Sequence, residues 1–236
     1  MRLECNNLNF TYPGNKMAAI SNLSFSMKNP GFNAIFGPSG IGKTTLAKMI
    51  ANPDFRSSND IIAENMDTIL YSYNLERLPG WASTGNHLNK ITSPEKHQLK
   101  EQLIKIFHLN DILGSRFSRL SMGQQNRMNL IRYLLQDFDL LIMDESLANV
   151  DEKLRQTIIL AIKEIFDDKM FLYISHNIME VSKFCQKILV FGKSAEDKTR
   201  FPCDLQVMIN GLNYKKDYPL DKKNLDTTML EIMNAF

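Results

Sequence analysis

The run Ala34-Ile35-Phe36-Gly37-Pro38-Ser39-Gly40-Ile41-Gly42-Lys43-Thr44-Thr45 decides how the chain is read. The apolar residues from Phe32 to Phe36 predict a buried strand leading into it. Thr44 to Ala51 predict a helix leading out, stopped by Asn52-Pro53. Residues 37–44 follow the spacing G-x-x-x-x-G-K-[ST] of a phosphate-cradling loop. Gly37, Gly40 and Gly42 let the backbone curl until successive N–H groups point at phosphate oxygens. The helix N-terminus adds a partial positive charge beneath them. Lys43 brings a point charge to β- and γ-phosphates, and the Thr44 hydroxyl suits a Mg2+ ion.

Outward from this loop, strands and helices alternate. Leu3, Cys5 and Leu8-Phe10 predict one early strand, and Leu23, Phe25 and Met27 a second. Tyr12 falls between them beside Pro13-Gly14, as a ring free to stack on a base or as an ordinary turn tyrosine. Ile61-Ile62 and Thr68 to Tyr73 predict further strands. Pro79-Gly80-Trp81 breaks the chain, and Pro94 to Asn110 then reads as helix, with Leu99, Leu103, Ile106 and Phe107 on its apolar side. Ser121 is placed to cap the helix that runs through Met128 and Leu134. Leu140 to Met143 predict a buried strand ending in Asp144-Glu145. Two acids at that point suit Mg2+ held through water and a group that orients or deprotonates a water molecule. Met170 to Ile174 predict another strand with His176 at its end, a position where histidine is ordinarily structural. Ile178 to Cys185 and Ile188 to Phe191 predict a helix and a strand. Thr228 and Glu231 have the spacing of a cap on a last helical turn or two.

The bulk properties narrow the classes. The chain has 236 residues, 44% of them apolar and 23% charged, with a net charge of +2. That is an ordinary globular composition without the field of a nucleic-acid binder. No apolar run approaches the ~20 residues that cross a bilayer, and Met1 to Cys5 carries no secretory pattern. Cys5, Cys185 and Cys203 make no C-x-x-C pair and suit a reducing compartment.

The order of phosphate loop, Leu120-Ser121-Met122-Gly123-Gln124, apolar strand with Asp144-Glu145, and strand with His176 resembles the ATP-binding cassette (ABC) ATPases from Leu3 to about Phe191. The resemblance implies an α/β fold: a P-loop NTPase (RecA-like) core with an N-terminal antiparallel β subdomain and an inserted α-helical subdomain. One domain spans 1–236, with 1–75 and 138–236 as nucleotide-binding core and 76–137 as the helical part. It implies ATP and Mg2+ as cofactors. Tyr12 then stacks on adenine, and Gly37, Pro38, Ser39, Gly40, Gly42, Lys43, Thr44 and Thr45 hold the phosphates. Thr44, Asn74 and Asp144 serve the metal. Glu145, His176 and Lys43 are the catalytic groups, His176 as the switch at the γ-phosphate. Asp151 matches the loop that follows the acids. Ser121, Gly123 and Gln124 match the signature that caps ATP held by the opposite subunit.

The implied partners are a second cassette in the ATP state, a transmembrane permease and a solute-binding protein, and no nucleic acid. The chain is expected at the cytoplasmic face of the membrane through its permease. Tyr73 to Trp81 is similar to the stretch of importers for nitrate, sulfonate, taurine and pyrimidine precursors. Three positions depart from the pattern: Asn74 stands for Gln, Met122 for the first signature Gly, and Ser146 for the Pro after the catalytic Glu. A nucleotide-gated regulatory subunit with weak hydrolysis and an exporter ATPase are the competing readings.

Overall fold

The computed structural model describes residues 1–56, 60–74, 76, 82–192 and 205–235. A long β1 (Arg2–Phe10) pairs antiparallel with β2 (Ile20–Lys28) and with β4 (Ile61–Glu64), giving the sheet order β2-β1-β4. Leu3, Cys5 and Leu8 and, across the register, Met27, Phe25 and Leu23 are buried, so alternation drives one apolar face inward.

The central sheet has the order β5-β6-β7-β3-β8-β9. β3 (Gly31–Phe36), β5 (Ile69–Tyr73), β6 (Leu140–Asp144), β7 (Met170–Ile174) and β8 (Lys187–Gly192) run parallel. β9 (Leu205–Asn210) closes one edge antiparallel to β8. Each strand feeds two layers. Leu140 and Ile142 of β6, with Ile35 and Leu172, face the antiparallel sheet and α1 (Lys43–Ala51), which a short α2 (Pro53–Arg56) follows. Leu141 and Met143, with Phe32, Phe171 and Tyr173, face the other way. There they meet α6 (Glu152–Ile165), α7 (Ile178–Phe184) and α8 (Lys222–Asn234). Burial on both faces explains why these strands are continuous apolar runs rather than alternating ones.

Between β5 and β6 lie α3 (Thr84–Ile91), α4 (His97–Ile106) and α5 (Met122–Leu134). Their buried residues Leu88, Leu103, Ile104, Phe107 and Leu130 belong to the same cluster as Phe32 and Phe171. The fold class agrees with the sequence reading; two local expectations differ, and one helix was not expected. The helix expected from Pro94 to Asn110 is a 3-10 turn at Pro94–Lys96, α4, and a second 3-10 turn at Asn110–Ile112. α3 had no sequence signal, because Leu88 is its one fully buried apolar residue. Thr228 caps nothing; it lies buried inside α8, whose cap is Asp221, accepting from the Asn224 N–H at 3.0 Å. The predicted break at Pro79-Gly80-Trp81 lies outside the described residues.

Candidate functional site

Parallel strands point their C-terminal ends the same way, and β3, β5, β6 and β7 deliver the candidate residues to one edge. β3 ends at Phe36 and the glycine loop follows at once. Gly40 and Gly42 take φ of 77° and 109°, which favour glycine, and a Cβ on Gly42 would lie 2.7 Å from the Ala19 carbonyl oxygen. Pro38, Ser39 and Gly40 are exposed at the mouth of the loop. α1 then starts at Lys43 with no acid in its first turn, so nothing on the helix competes for an anion at its N-terminus.

Lys43 is buried, and its ammonium folds back to donate to the carbonyls of Gly37 at 2.8 Å and Pro38 at 2.7 Å. Burial lowers its pKa, and the charges of Glu145 and Asp144 oppose that shift. Thr44 donates its hydroxyl to Asp144 Oδ2 at 2.8 Å, tying the loop to the end of β6 across a hundred residues of sequence. Tyr12 is 42% exposed; its ring meets Phe10 edge-on at 4.9 Å and its hydroxyl sits 3.0 Å from Thr45 Oγ1.

Glu145 follows Asp144 with φ of 53°, in the left-handed region. The turn brings Oε1 of Glu145 to 2.5 Å from Nε2 of His176, which stands after β7. Both side chains are partly exposed and line one cavity of about 510 Å3 with Arg155, Ser175 and Asn177. Glu145 also lines a second cavity of about 550 Å3 with Thr44, Lys48, Tyr71, Tyr73, Asn74 and Asp144. Hydroxyl, amide and carboxylate oxygens suit a hard cation such as Mg2+. Among the described residues no group of three His, Cys, Asp or Glu could hold a metal unaided.

The three departures from the family pattern have visible settings. Asn74 Oδ1 accepts from Asn126 Nδ2 on α5 at 2.9 Å, and Asn126 also donates to the Ala148 carbonyl at 2.9 Å. Glu76 is gripped by the same helix, through Asn129, Arg132 and Tyr133. Ser146 is buried and donates to the Ser72 carbonyl at 3.0 Å, with the Ser72 hydroxyl 2.9 Å away. Proline offers no such donor. Met122 is half exposed at the start of α5.

Ser121, Gly123 and Gln124 gather at the start of α5 and line neither of these two cavities. Ser121 caps α5, and Gln124 reaches back to the Ser121 N–H at 2.9 Å, a reciprocal capping box. Gly123 is packed under the 149–151 turn, where a Cβ would lie 2.2 Å from the Asn149 carbonyl oxygen. Asp151 caps α6 by accepting from the Leu154 N–H at 2.9 Å.

Sequence reasoning missed three supports. Tyr71 donates its phenol to Asp144 Oδ2 at 2.9 Å, and burial, then the Asp144 charge, raises its pKa. Asn126 binds Asn74. Glu180, buried on α7, takes Arg155 Nε, the Tyr173 hydroxyl at 2.9 Å and Asn177 Nδ2 at 3.2 Å, which anchors the loop carrying His176. Only the last had a sequence signal, an acid four residues beyond His176.

A family model for ABC transporters matches residues 20–148, more than half of the chain. The chain is 29% identical over 214 residues to a Rickettsia bellii protein described as an export ATP-binding/permease protein, covering 82% of this chain and 37% of that one. It is 27% identical over 208 residues to the spermidine/putrescine import ATP-binding protein PotA of Mesorhizobium japonicum, covering 80% and 57%. It therefore spans well under two thirds of these relatives' own length. Among solved structures, the dimeric ATP-binding cassette MJ0796 bound to ADP and Pi superposes with a TM-score of 0.65 at 20% identity, over 80% of this chain and 93% of that one. No helix among the described residues is long and apolar enough to cross a membrane.

Proposed function

The chain belongs to the ABC transporter family, and we propose that it is the ATP-hydrolysing subunit that powers solute movement through a membrane permease. The observation that carries this reading is the convergence of Lys43, Thr44, Asp144, Glu145 and His176 at one edge of the parallel sheet. ATP enters with its phosphates over the loop from Gly37 to Thr45 and its adenine against Tyr12. Lys43 leaves the carbonyls of Gly37 and Pro38 and turns to the β- and γ-phosphates. Thr44 and Asp144 are the residues that would hold Mg2+, which would neutralise phosphate charge when bound; Asn74 would be available to it only after release from Asn126. Glu145 accepts a proton from the attacking water, and His176, already paired with Glu145, contacts the γ-phosphate.

Ser121, Gly123 and Gln124 gather at the N-terminus of α5 and line neither cavity beside Glu145, which fits a head-to-tail pair in which each α5 N-terminus closes the partner's ATP. Residues 76–137 serve as the docking part for the permease, which keeps the chain at the cytoplasmic face of the membrane. Import is the favoured direction. The finer group, importers of nitrate, sulfonate, taurine or pyrimidine precursors with a solute-binding protein, rests on the stretch Tyr73 to Trp81, most of it outside the described residues.

Lys43→Ala tests the reading. An ammonium beside a triphosphate contributes on the order of 4 kcal/mol of gross attraction at an effective dielectric of ~20. The variant is expected to lose measurable ATP binding and phosphate release; unchanged activity would remove the loop from its role.

A further inference from the structure

Asp144 Oδ2 accepts from two hydroxyls at once, Thr44 at 2.8 Å and Tyr71 at 2.9 Å. A carboxylate oxygen has two lone pairs, so these donors fill Oδ2 and leave Oδ1 as the oxygen for a metal-bound water. Tyr71 reaches this place from the middle of β5, where its Cα pairs with Ile142 in the core of β6. Its ring stacks on that of Tyr73, two residues on and on the same face of the strand, with centroids 5.6 Å apart and planes at 22°. Both rings line the cavity that also holds Thr44, Lys48, Asn74 and Glu145. An aliphatic side chain would fill the same space; the phenol adds one donor, and that donor is spent on Asp144.

We propose that Tyr71 is a positioning residue of the cation site, locking the Asp144 carboxylate with Oδ1 left for a metal-bound water. This rests on the nucleotide-binding reading given above. The terminal torsion of a carboxylate is broad and nearly two-fold, so one donor, Thr44, leaves it free to rock about that contact. A second donor from the opposite element, β5, removes the freedom. Tyr71 acts on the site through its hydrogen bond to Asp144.

Tyr71→Phe keeps the ring and its stacking and removes one O–H. Partners in the outer shell of a metal ligand are commonly worth about 10–100-fold in metal affinity. The experiment titrates a fluorescent non-hydrolysable ATP analogue into the wild-type chain and Tyr71→Phe in EDTA. Mn2+ is then titrated at saturating analogue, with free Mn2+ followed by electron paramagnetic resonance. Equal affinity in EDTA and a Mn2+ dissociation constant about tenfold weaker in the variant is the expected result. Equal Mn2+ affinity in the two proteins overturns the proposal and leaves the nucleotide site intact. A parallel loss with and without metal also overturns it, making Tyr71 a support of the whole pocket. A wild-type chain that binds neither the analogue nor Mn2+ overturns both readings.

Discussion

Gly123→Ala is a one-methyl change whose cost can be worked from geometry. The new Cβ would sit 2.2 Å from the Asn149 carbonyl oxygen and 3.1 Å from its carbon. Carbon and its neighbours settle at roughly 3.5 Å, so the 149–151 turn has to retreat by about 1 Å. The turn is not free to do so. Asn126 holds the Ala148 carbonyl at 2.9 Å, Arg155 holds the Val150 carbonyl at 3.2 Å, and Asp151 caps α6. Relief therefore breaks one of these bonds or strains α5, at about 1–3 kcal/mol. For a domain of this size each kcal/mol moves the thermal midpoint by roughly 2–4 °C. Gly114→Ala is the matched control, because a Cβ there meets nothing within 4 Å. Differential scanning calorimetry of the two variants is the assay. If both melt within about 1 °C of wild type, the close approach of α5 and the turn is not what holds Gly123 in place.

Glu145→Gln should keep ATP binding and cut turnover by about 10²–10⁴-fold, because the amide cannot take a proton from water; ATP should then hold two chains together in size-exclusion chromatography with light scattering. Asn74→Ala and Asn126→Ala each remove the same 2.9 Å contact, so their denaturation free energies should be non-additive by more than about 0.5 kcal/mol in a double-mutant cycle. Lys163 donates to the Phe184 and Tyr214 carbonyls and to Asn213, and burial still lowers its pKa to about 8. The folded pKa lies below the unfolded one, near 10.4, so between about pH 8 and 10 the unfolded chain binds more protons. This group therefore makes stability rise with pH across that window, while below it the cost is constant. Urea midpoints of wild type minus Lys163→Met should show that rise, and a flat difference would contradict it.

What the sequence disclosed follows from where its information lies. Short-range patterns were legible: the glycine loop needs its spacing, and β3, β6 and β7 are apolar runs because both their faces are buried. Glu145 and His176 were legible one by one, but their 2.5 Å contact arises from the pairing of β6 with β7. Tyr71 was hidden because a tyrosine in an apolar strand is an ordinary core residue until the position of Asp144 is known. Asn126 was hidden for a related reason. Asn74 is shorter than the family's Gln, and its partner lies 52 residues away on α5, found only once the helix is packed. β9 went unread, and α8 was read only as a last turn or two, since both follow charged stretches and α8 presents few buried apolar residues, Leu225 and Ile232 among them.

The apolar cluster that runs from Phe32 and Phe171 into Leu88, Leu103 and Phe107 makes the inserted helices a roof over the sheet rather than an annex beside it. Cutting the chain on either side of α3–α5 would leave hydrocarbon facing water on both pieces, an invitation to aggregate. Any replacement roof, natural or engineered, has to reproduce that greasy underside. Its outer face, by contrast, carries no such constraint and is at liberty to be rewritten.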